Sequence, residues 1–210
     1  MAGVAALHIR SLRDRQQFFD PLGIAAGLGI SSAAWPLFGL LWPSGQQLAL
    51  RMAARPVVPG ERILEIGCGL ALASLVSHRR GADVTASDCH PLAARFLRVN
   101  TRLNGLATLP YRHAPWSAAP GSAPEGETRV AGRFDLLIGS DLLYERDDGA
   151  LLAGFIARHA SSAAEVWIVD PNRGNRAAFN RQMAERGFVL AEQRIEQPGY
   201  RGRLLAYRKM

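Results

Sequence analysis

Residues 63–71 read ILEIGCGLA, and the fold can be worked out from this stretch. A short apolar run ends in a glycine turn, and a second apolar segment follows at once, which is typical of a buried strand leading into a helix. Glycine at positions 67 and 69 lets the main chain approach a ligand where a Cβ atom would collide. The amide groups at the start of the helix then offer free hydrogen-bond donors to that ligand.

Short apolar runs alternate with amphipathic stretches from residue 61 onward, which predicts an α/β fold with a doubly wound, mostly parallel sheet covered by helices on both faces. The run at 134–139 is almost continuously apolar and therefore predicts a central strand. The other predicted strands are 62–66, 83–87, 109–113 and 164–169, with a terminal pair at 188–195 and 203–207. The predicted helices are 71–78, 91–103, one capped by Asp147 and Asp148 that ends at His159, and 176–186.

The length of 210 residues predicts one domain, with a lid and helix at 1–60 and the α/β core at 61–210. Residues 117–133, rich in Pro, Gly, Ser and charge, are expected to form a loop or insertion within it. Two cysteines, Cys68 and Cys89, are too few for a disulfide framework. We therefore expect a reducing, cytoplasmic setting.

The uncharged stretch 21–50 is interrupted by glycine and proline and contains two glutamines, so it predicts an irregular apolar lid and no membrane helix. A helix is expected at about 46–54, capped by Ser44. Two tryptophans lie before it. We expect Trp35 to pack in the core or lid, and Trp42 to form the wall of a pocket for a flat ligand.

The formal net charge of +7 makes an acidic partner plausible. The arginines are scattered and form no stripe interleaved with aromatic residues, so a soluble basic surface is favoured over nucleic-acid binding.

The residues around the glycine turn favour a cationic nucleoside ligand. Position 72 is leucine, so the three-glycine dinucleotide fingerprint is incomplete. Glu65 lies inside the strand, where a carboxylate is costly unless it meets a polar or cationic group. The sulfonium and ammonium groups of S-adenosylmethionine (SAM) would tolerate it, whereas a phosphate would be repelled. Asp88 follows Gly67 by about 20 residues, the spacing at which a carboxylate reaches a ribose diol; nicotinamide enzymes share that spacing.

These residues resemble the seven-strand (class I) SAM-dependent methyltransferases, and within them the protein-lysine methyltransferases with an Asp-x-x-Tyr motif. The resemblance spans roughly residues 35–171. It rests on Trp42-Pro-Ser-Gly, LEIGCGLA at 64–71, Asp88, RVNTRLNG at 98–105, Trp116 and FDLLIGSDLLY at 134–144. It implies a seven-stranded, Rossmann-like methyltransferase fold and SAM as the cofactor.

The resemblance also implies roles for individual residues. Gly67, Cys68 and Gly69 would lie along the methionine part of SAM, and Asp88 would bind the ribose hydroxyls. The cofactor pocket would be completed by Trp42, Trp116 and Ser140. Family members usually carry an acid before the tryptophan that matches Trp116, where this chain has Pro115. Adenine would then be recognised through backbone groups. The segment 170–173, Asp-Pro-Asn-Arg, looks like one in bacterial lysine methyltransferases that act on a flavoprotein subunit.

Asp141 and Tyr144 follow the strand predicted at 134–139, at the sheet edge where open α/β proteins bind ligands. Asp141 could attract and orient a substrate ammonium, and Tyr144 could accept a hydrogen bond from it. In the alternative interpretation, Asp141 caps a turn and Tyr144 packs beneath it. The leading hypothesis is a protein-lysine N-methyltransferase with these two catalytic residues.

Other functions stay open at this point. The same cofactor site could serve a small amine, or the chain could be a non-catalytic SAM-binding partner protein. A nucleic-acid methyltransferase is disfavoured because Ser-Asp-Leu-Leu-Tyr replaces the Asn/Asp-Pro-Pro-aromatic segment that holds a flipped base. The five histidines lack ligand partners at useful spacings, so no metal site is expected. A monomer is the default expectation.

Overall fold

The computed structural model describes residues 6–17, 19–117, 123–124 and 126–210. Its strands are β1 (Arg62–Ile66), β2 (Asp83–Asp88), β3 (Tyr111–His113), β4 (Phe134–Ser140), β5 (Ala160–Asp170), β6 (Phe188–Gln197) and β7 (Tyr200–Lys209). Its helices are α1 (Ile24–Gly27), a 3₁₀ helix (Trp35–Gly39), α2 (Pro43–Ala54), α3 (Leu72–Arg79), α4 (Ala93–Leu103), α5 (Leu151–His159) and α6 (Arg176–Ala184).

The seven strands form one sheet in the order β3-β2-β1-β4-β5-β7-β6. The pairs from β3 to β5 are parallel, whereas β7 runs antiparallel to β5 and β6. The strand order reverses at β1, since β2 and β3 lie on one side of it and β4 and β5 on the other. The carboxyl ends of β1 and β4 therefore meet at a topological switch point, where open α/β sheets bind ligands. The predicted doubly wound, mostly parallel sheet is confirmed, with β4 at its centre.

Alternate residues of the central strands enter two separate cores, as the twofold period of a strand requires. Leu137 packs in a core with α5 and α6, whereas Leu136 and Ile138 pack on the opposite face against Leu48 and Met52 of α2. All five side chains are buried. Burial on both faces explains why β4 reads as a nearly continuous apolar run.

One predicted strand start and two predicted helix caps differ from the structure for local reasons. β3 begins at Tyr111, because Pro110 has no N–H to donate to a ladder. Ser44 does not cap α2, which begins at Pro43; its hydroxyl lies 2.9 Å from the Tyr200 hydroxyl. Asp147 does accept hydrogen bonds from the first amides of α5, but Asp148 pairs with Arg146 instead.

The lid predicted before the core consists of α1, the 3₁₀ helix and the segments around them. Trp35 and Phe38 are buried, and the Phe38 ring stacks on His90 with centroids 3.8 Å apart. Trp35 packs edge-on against the same histidine, as its expected packing role requires. The helices of the described residues are each too short or too polar to cross a membrane. The loop predicted at 117–133 lies partly outside the described residues.

Candidate active site

A cavity of about 310 Å³ opens at the carboxyl ends of β1, β2 and β4, beneath the lid. Nine of the residues predicted from the sequence line it: Trp42, Glu65, Gly67, Cys68, Gly69, Asp88, Ser140, Asp141 and Tyr144. They come from four separate parts of the chain, which only the order of the strands brings to one place.

The glycine turn after β1 forms the floor of the cavity. Gly69 has φ +51°, and a Cβ atom there would lie 2.7 Å from the carbonyl oxygen of Phe38 in the lid. At Gly67, with φ +56°, a Cβ atom would collide with the Leu142 side chain. Gly69 therefore requires glycine because backbone lies against it, whereas a Cβ atom at Gly67 would need the Leu142 side chain to shift.

Asp88 is held at the end of β2 by main-chain amides. The N–H of Gly69 donates to its Oδ2 and the N–H of His90 to its Oδ1, both at 2.8 Å. Only 7% of the residue is exposed, and burial raises the pKa of its carboxyl group despite these hydrogen bonds. The side chain thus ties the glycine turn to the neighbouring strand and faces the cavity.

Glu65 is buried in β1, and its Oε2 accepts a hydrogen bond of 2.8 Å from the N–H of Ser74 in the first turn of α3. Burial raises the pKa of Glu65 from its ordinary value to about 7. Burial also raises the pKa of the Cys68 thiol, which therefore stays protonated at neutral pH. The cavity wall holds acidic and neutral groups on this side and suits a cationic ligand.

Asp141 and Tyr144 lie on the loop after β4. Asp141 is 9% exposed and has φ +56°, and its N–H donates to the carbonyl of Val169 in β5. Tyr144 is 44% exposed. Partial desolvation, followed by nearby acidic groups, raises the pKa of Tyr144, so its phenol is neutral at physiological pH.

Trp116 is the predicted site residue that the structure does not bring to this cavity. It packs beside the core between the sheet, α5 and α6, and lines a second cavity on the other side of Leu142 and Tyr144. Its carbonyl accepts a hydrogen bond from Arg158 of α5. This hydrogen bond holds Trp116 on the α5 side of the sheet, away from the glycine turn.

Residues that the sequence pattern did not single out as site residues also line the cavity, among them Arg15, Phe38, Leu142 and Arg173. Arg173 donates from Nη2 to Oδ1 of Asp141 at 2.8 Å. A usable signal existed for Arg173, since it lies just after the carboxyl end of β5, the neighbour of β4 in the sheet. Within the described part of the chain, no group of three or more His, Cys, Asp or Glu side chains could hold a metal ion.

Comparison with known proteins finds lysine methyltransferases among the relatives. The chain is 30% identical over 141 residues to the electron transfer flavoprotein beta subunit lysine methyltransferase of Xenopus laevis, covering 66% of this chain and 53% of that protein. It is 26% identical over 143 residues to the calmodulin-lysine N-methyltransferase of Arabidopsis thaliana, covering 64% and 45%. The chain thus spans about half the length of the curated relatives it matches. No family model matches it.

Solved structures show the same fold at low identity. The ribosomal protein L11 methylase of Lactobacillus delbrueckii subsp. bulgaricus aligns with TM-score 0.60 and 19% identity over 81% of both chains. A methyltransferase from Pyrococcus furiosus aligns with TM-score 0.62 and 17% identity over 81% of this chain and 85% of that one. The resemblance to class I methyltransferases is confirmed. The solved structures share the fold, and the sequence relatives are named as lysine methyltransferases.

Proposed function

We propose that this chain is a SAM-dependent protein-lysine N-methyltransferase. One observation carries the proposal: a single cavity brings the glycine turn and Asp88 together with Asp141 and Tyr144. The first pair of features suits an adenosyl ligand, and the second suits an amine that approaches it.

The cavity fits SAM on the properties of its own residues. The turn at Gly67 and Gly69 carries no side chain into the cavity, so the methionine part of SAM could lie directly against its main chain. Asp88 would accept hydrogen bonds from the ribose hydroxyls, and Glu65 would favour a positive ligand nearby. Trp42 and Ser140 would complete the pocket. When bound, SAM supplies an electrophilic methyl group on its sulfonium.

Asp141 and Tyr144 would orient the amine for an in-line displacement. The carboxylate of Asp141 attracts an ammonium group and holds it at the carboxyl end of β4. The amine must lose a proton before its lone pair can attack, and the neutral phenol oxygen of Tyr144 can accept a hydrogen bond from the amine as water removes that proton. The lid above the glycine turn limits the water that could compete.

The substrate is proposed to be a lysine side chain of a protein. The relatives described above are named for lysine methylation of the electron transfer flavoprotein beta subunit and of calmodulin. The segment 170–173 also matches the pattern expected for enzymes acting on a flavoprotein subunit. We therefore propose the electron transfer flavoprotein beta subunit as the first protein to test.

The test is incubation with methyl-labelled SAM and either this subunit or fractionated cell lysate, followed by mass spectrometry of peptides and of small molecules. We expect label on a lysine-containing peptide. Label only in low-mass products would indicate a small-amine enzyme, and no label together with tight cofactor binding would indicate a non-catalytic partner. Cell fractionation would test the predicted cytoplasmic location.

Asp141→Ala should lower methylation by about 100-fold or more, because the amine loses its orienting charge. The affinity for S-adenosylhomocysteine should stay within about threefold of the wild-type value, since the proposed contacts of the glycine turn and Asp88 with the cofactor remain. Asp148→Ala is the matched control, because that carboxylate is exposed and pairs with the equally exposed Arg146. Unchanged turnover in Asp141→Ala would reject the assignment.

A further inference from the structure

Only one of the two carboxylate oxygens of Asp141 has a hydrogen-bond partner among the described residues. Its Oδ1 accepts a hydrogen bond from Nη2 of Arg173 at 2.8 Å, and the side chains are 10% and 30% exposed, respectively. Its Oδ2 is buried and has no hydrogen-bond partner among those residues. Buried carboxylate oxygens normally have a partner, so an unpartnered one in a cavity wall indicates a ligand group.

Asp170, at the end of β5, adds a second buried carboxylate to this pair. It is fully buried, and its Oδ1 accepts a hydrogen bond of 2.8 Å from the main-chain N–H of Arg173. Its Oδ2, too, lacks a partner in the described part of the chain. Asp141 and Asp170 thus both contact Arg173, one through its guanidinium group and the other through its main-chain N–H, and each keeps one unpartnered buried oxygen among the described residues.

The backbone fixes the geometry of this cluster. Asp141 is held by its N–H bond to Val169. Arg173 follows the tight turn at Asn172, which has φ +65°. The Asn172 side chain in turn accepts hydrogen bonds from Arg176 and Arg203. The backbone of both partners is therefore held in place, and the hydrogen bond to Oδ1 of Asp141 holds the Arg173 guanidinium group.

We propose, on the basis of the function proposed above, that Arg173 is a positioning residue that makes Asp141 selective for a primary ammonium group over a guanidinium group. Guanidinium binds a carboxylate best with two parallel hydrogen bonds, which need both oxygens. Arg173 occupies Oδ1, so only Oδ2 remains. An ammonium group is a compact charge that needs a single oxygen. The site therefore accepts lysine side chains and discriminates against arginine side chains.

The test is titration of the protein with n-butylammonium and with n-butylguanidinium, followed by nuclear magnetic resonance. We expect the wild-type protein to bind the ammonium at least about tenfold more tightly, the discrimination that one well-placed hydrogen bond supplies. Arg173→Met should bring the two affinities within about threefold, since Oδ1 becomes available to the guanidinium. Arg173→Lys should restore the preference, because Nζ can still occupy Oδ1.

Arg194→Met is the control, because the Arg194 side chain lies on β6, is 69% exposed and pairs with Glu196, and does not line the cavity. Equal affinities in the wild-type protein, or an undiminished preference in Arg173→Met, would overturn the proposal. The comparison of the two ligands on the wild-type protein tests the proposal even if a variant fails to fold. Each titration is run with and without S-adenosylhomocysteine. Failure of that compound to bind would count against the methyltransferase function, whereas the amine preference of the protein alone still reports on Arg173.

Discussion

Glu65 is a carboxylate in the middle of the central sheet, and its raised pKa has a consequence for stability. In the folded protein burial raises the pKa to about 7, whereas the unfolded chain titrates near the ordinary value of 4.5. Below the lower value both states are protonated. Between the two values only the unfolded state ionises, so the contribution of Glu65 to folding is lost as the pH rises toward 7.

We expect the free energy of unfolding of the wild-type protein to fall from pH 4.5 to pH 7.5 by on the order of 3 kcal/mol more than that of Glu65→Gln. Glutamine keeps an acceptor for the Ser74 amide and cannot ionise. Urea unfolding of both proteins at several pH values measures the difference, and the subtraction removes the other titrating groups. Parallel pH curves would show that Glu65 titrates normally.

Asp88 holds the glycine turn and faces the cavity, so its replacement should lower the affinity for the cofactor. We expect Asp88→Ala to weaken binding of S-adenosylhomocysteine by about tenfold or more, the scale of a lost hydrogen bond to a charged acceptor. Calorimetry measures the affinity. Asp83→Ala, at the amino end of the same strand, should leave it unchanged. An unaltered affinity in Asp88→Ala would refute the ribose-binding role.

The turn between β1 and α3 contacts the lid at Gly69, which lies against the backbone of Phe38. Gly69→Ala would both strain a left-handed backbone and drive a Cβ atom into the Phe38 carbonyl. Gly81 has φ +83°, and a Cβ atom there would have none of the described residues within 4 Å, so Gly81→Ala carries the backbone strain alone. The pair of variants separates the two effects.

We expect Gly69→Ala to lower the free energy of unfolding by about 1–3 kcal/mol more than Gly81→Ala, because the lid must shift away from the turn. Urea unfolding gives the stabilities. Trypsin cleavage at the lid residues Arg13 and Arg15 should be faster in Gly69→Ala only. Equal losses of stability and equal cleavage rates would mean that the lid does not rest on the turn.

Across the molecule as a whole, β4 joins the two cores, because its neighbouring side chains point to opposite faces of the sheet. Leu137→Ala should cost about 3–5 kcal/mol, since the fully buried site leaves a cavity that cannot collapse. Ile138→Val, which removes one methylene group from the other core, should cost only about 1 kcal/mol. Chemical denaturation measures both. A small loss in Leu137→Ala would indicate a core that rearranges easily.

Local sequence patterns were enough to predict the seven strands, the helices of the core and the glycine turn, because apolar periodicity and turn-forming glycines act over a few neighbouring residues. They also placed Asp88 and Asp141 at strand ends, where parallel strands bring ligands and side chains together. The fold prediction was confirmed on these grounds. The roles of the site residues stay predictions.

Only the tertiary structure decided which side chains from distant parts of the chain contact each other. Ser44 was expected to cap its own helix, yet it bonds Tyr200 across 156 positions of the chain. Trp116 was expected at the cofactor cavity, but it packs against the core beside α5, on the far side of Tyr144. Arg173 reaches Asp141 because β5 lies beside β4. Such partners depend on strand order and on the packing of whole elements, which local sequence patterns do not encode.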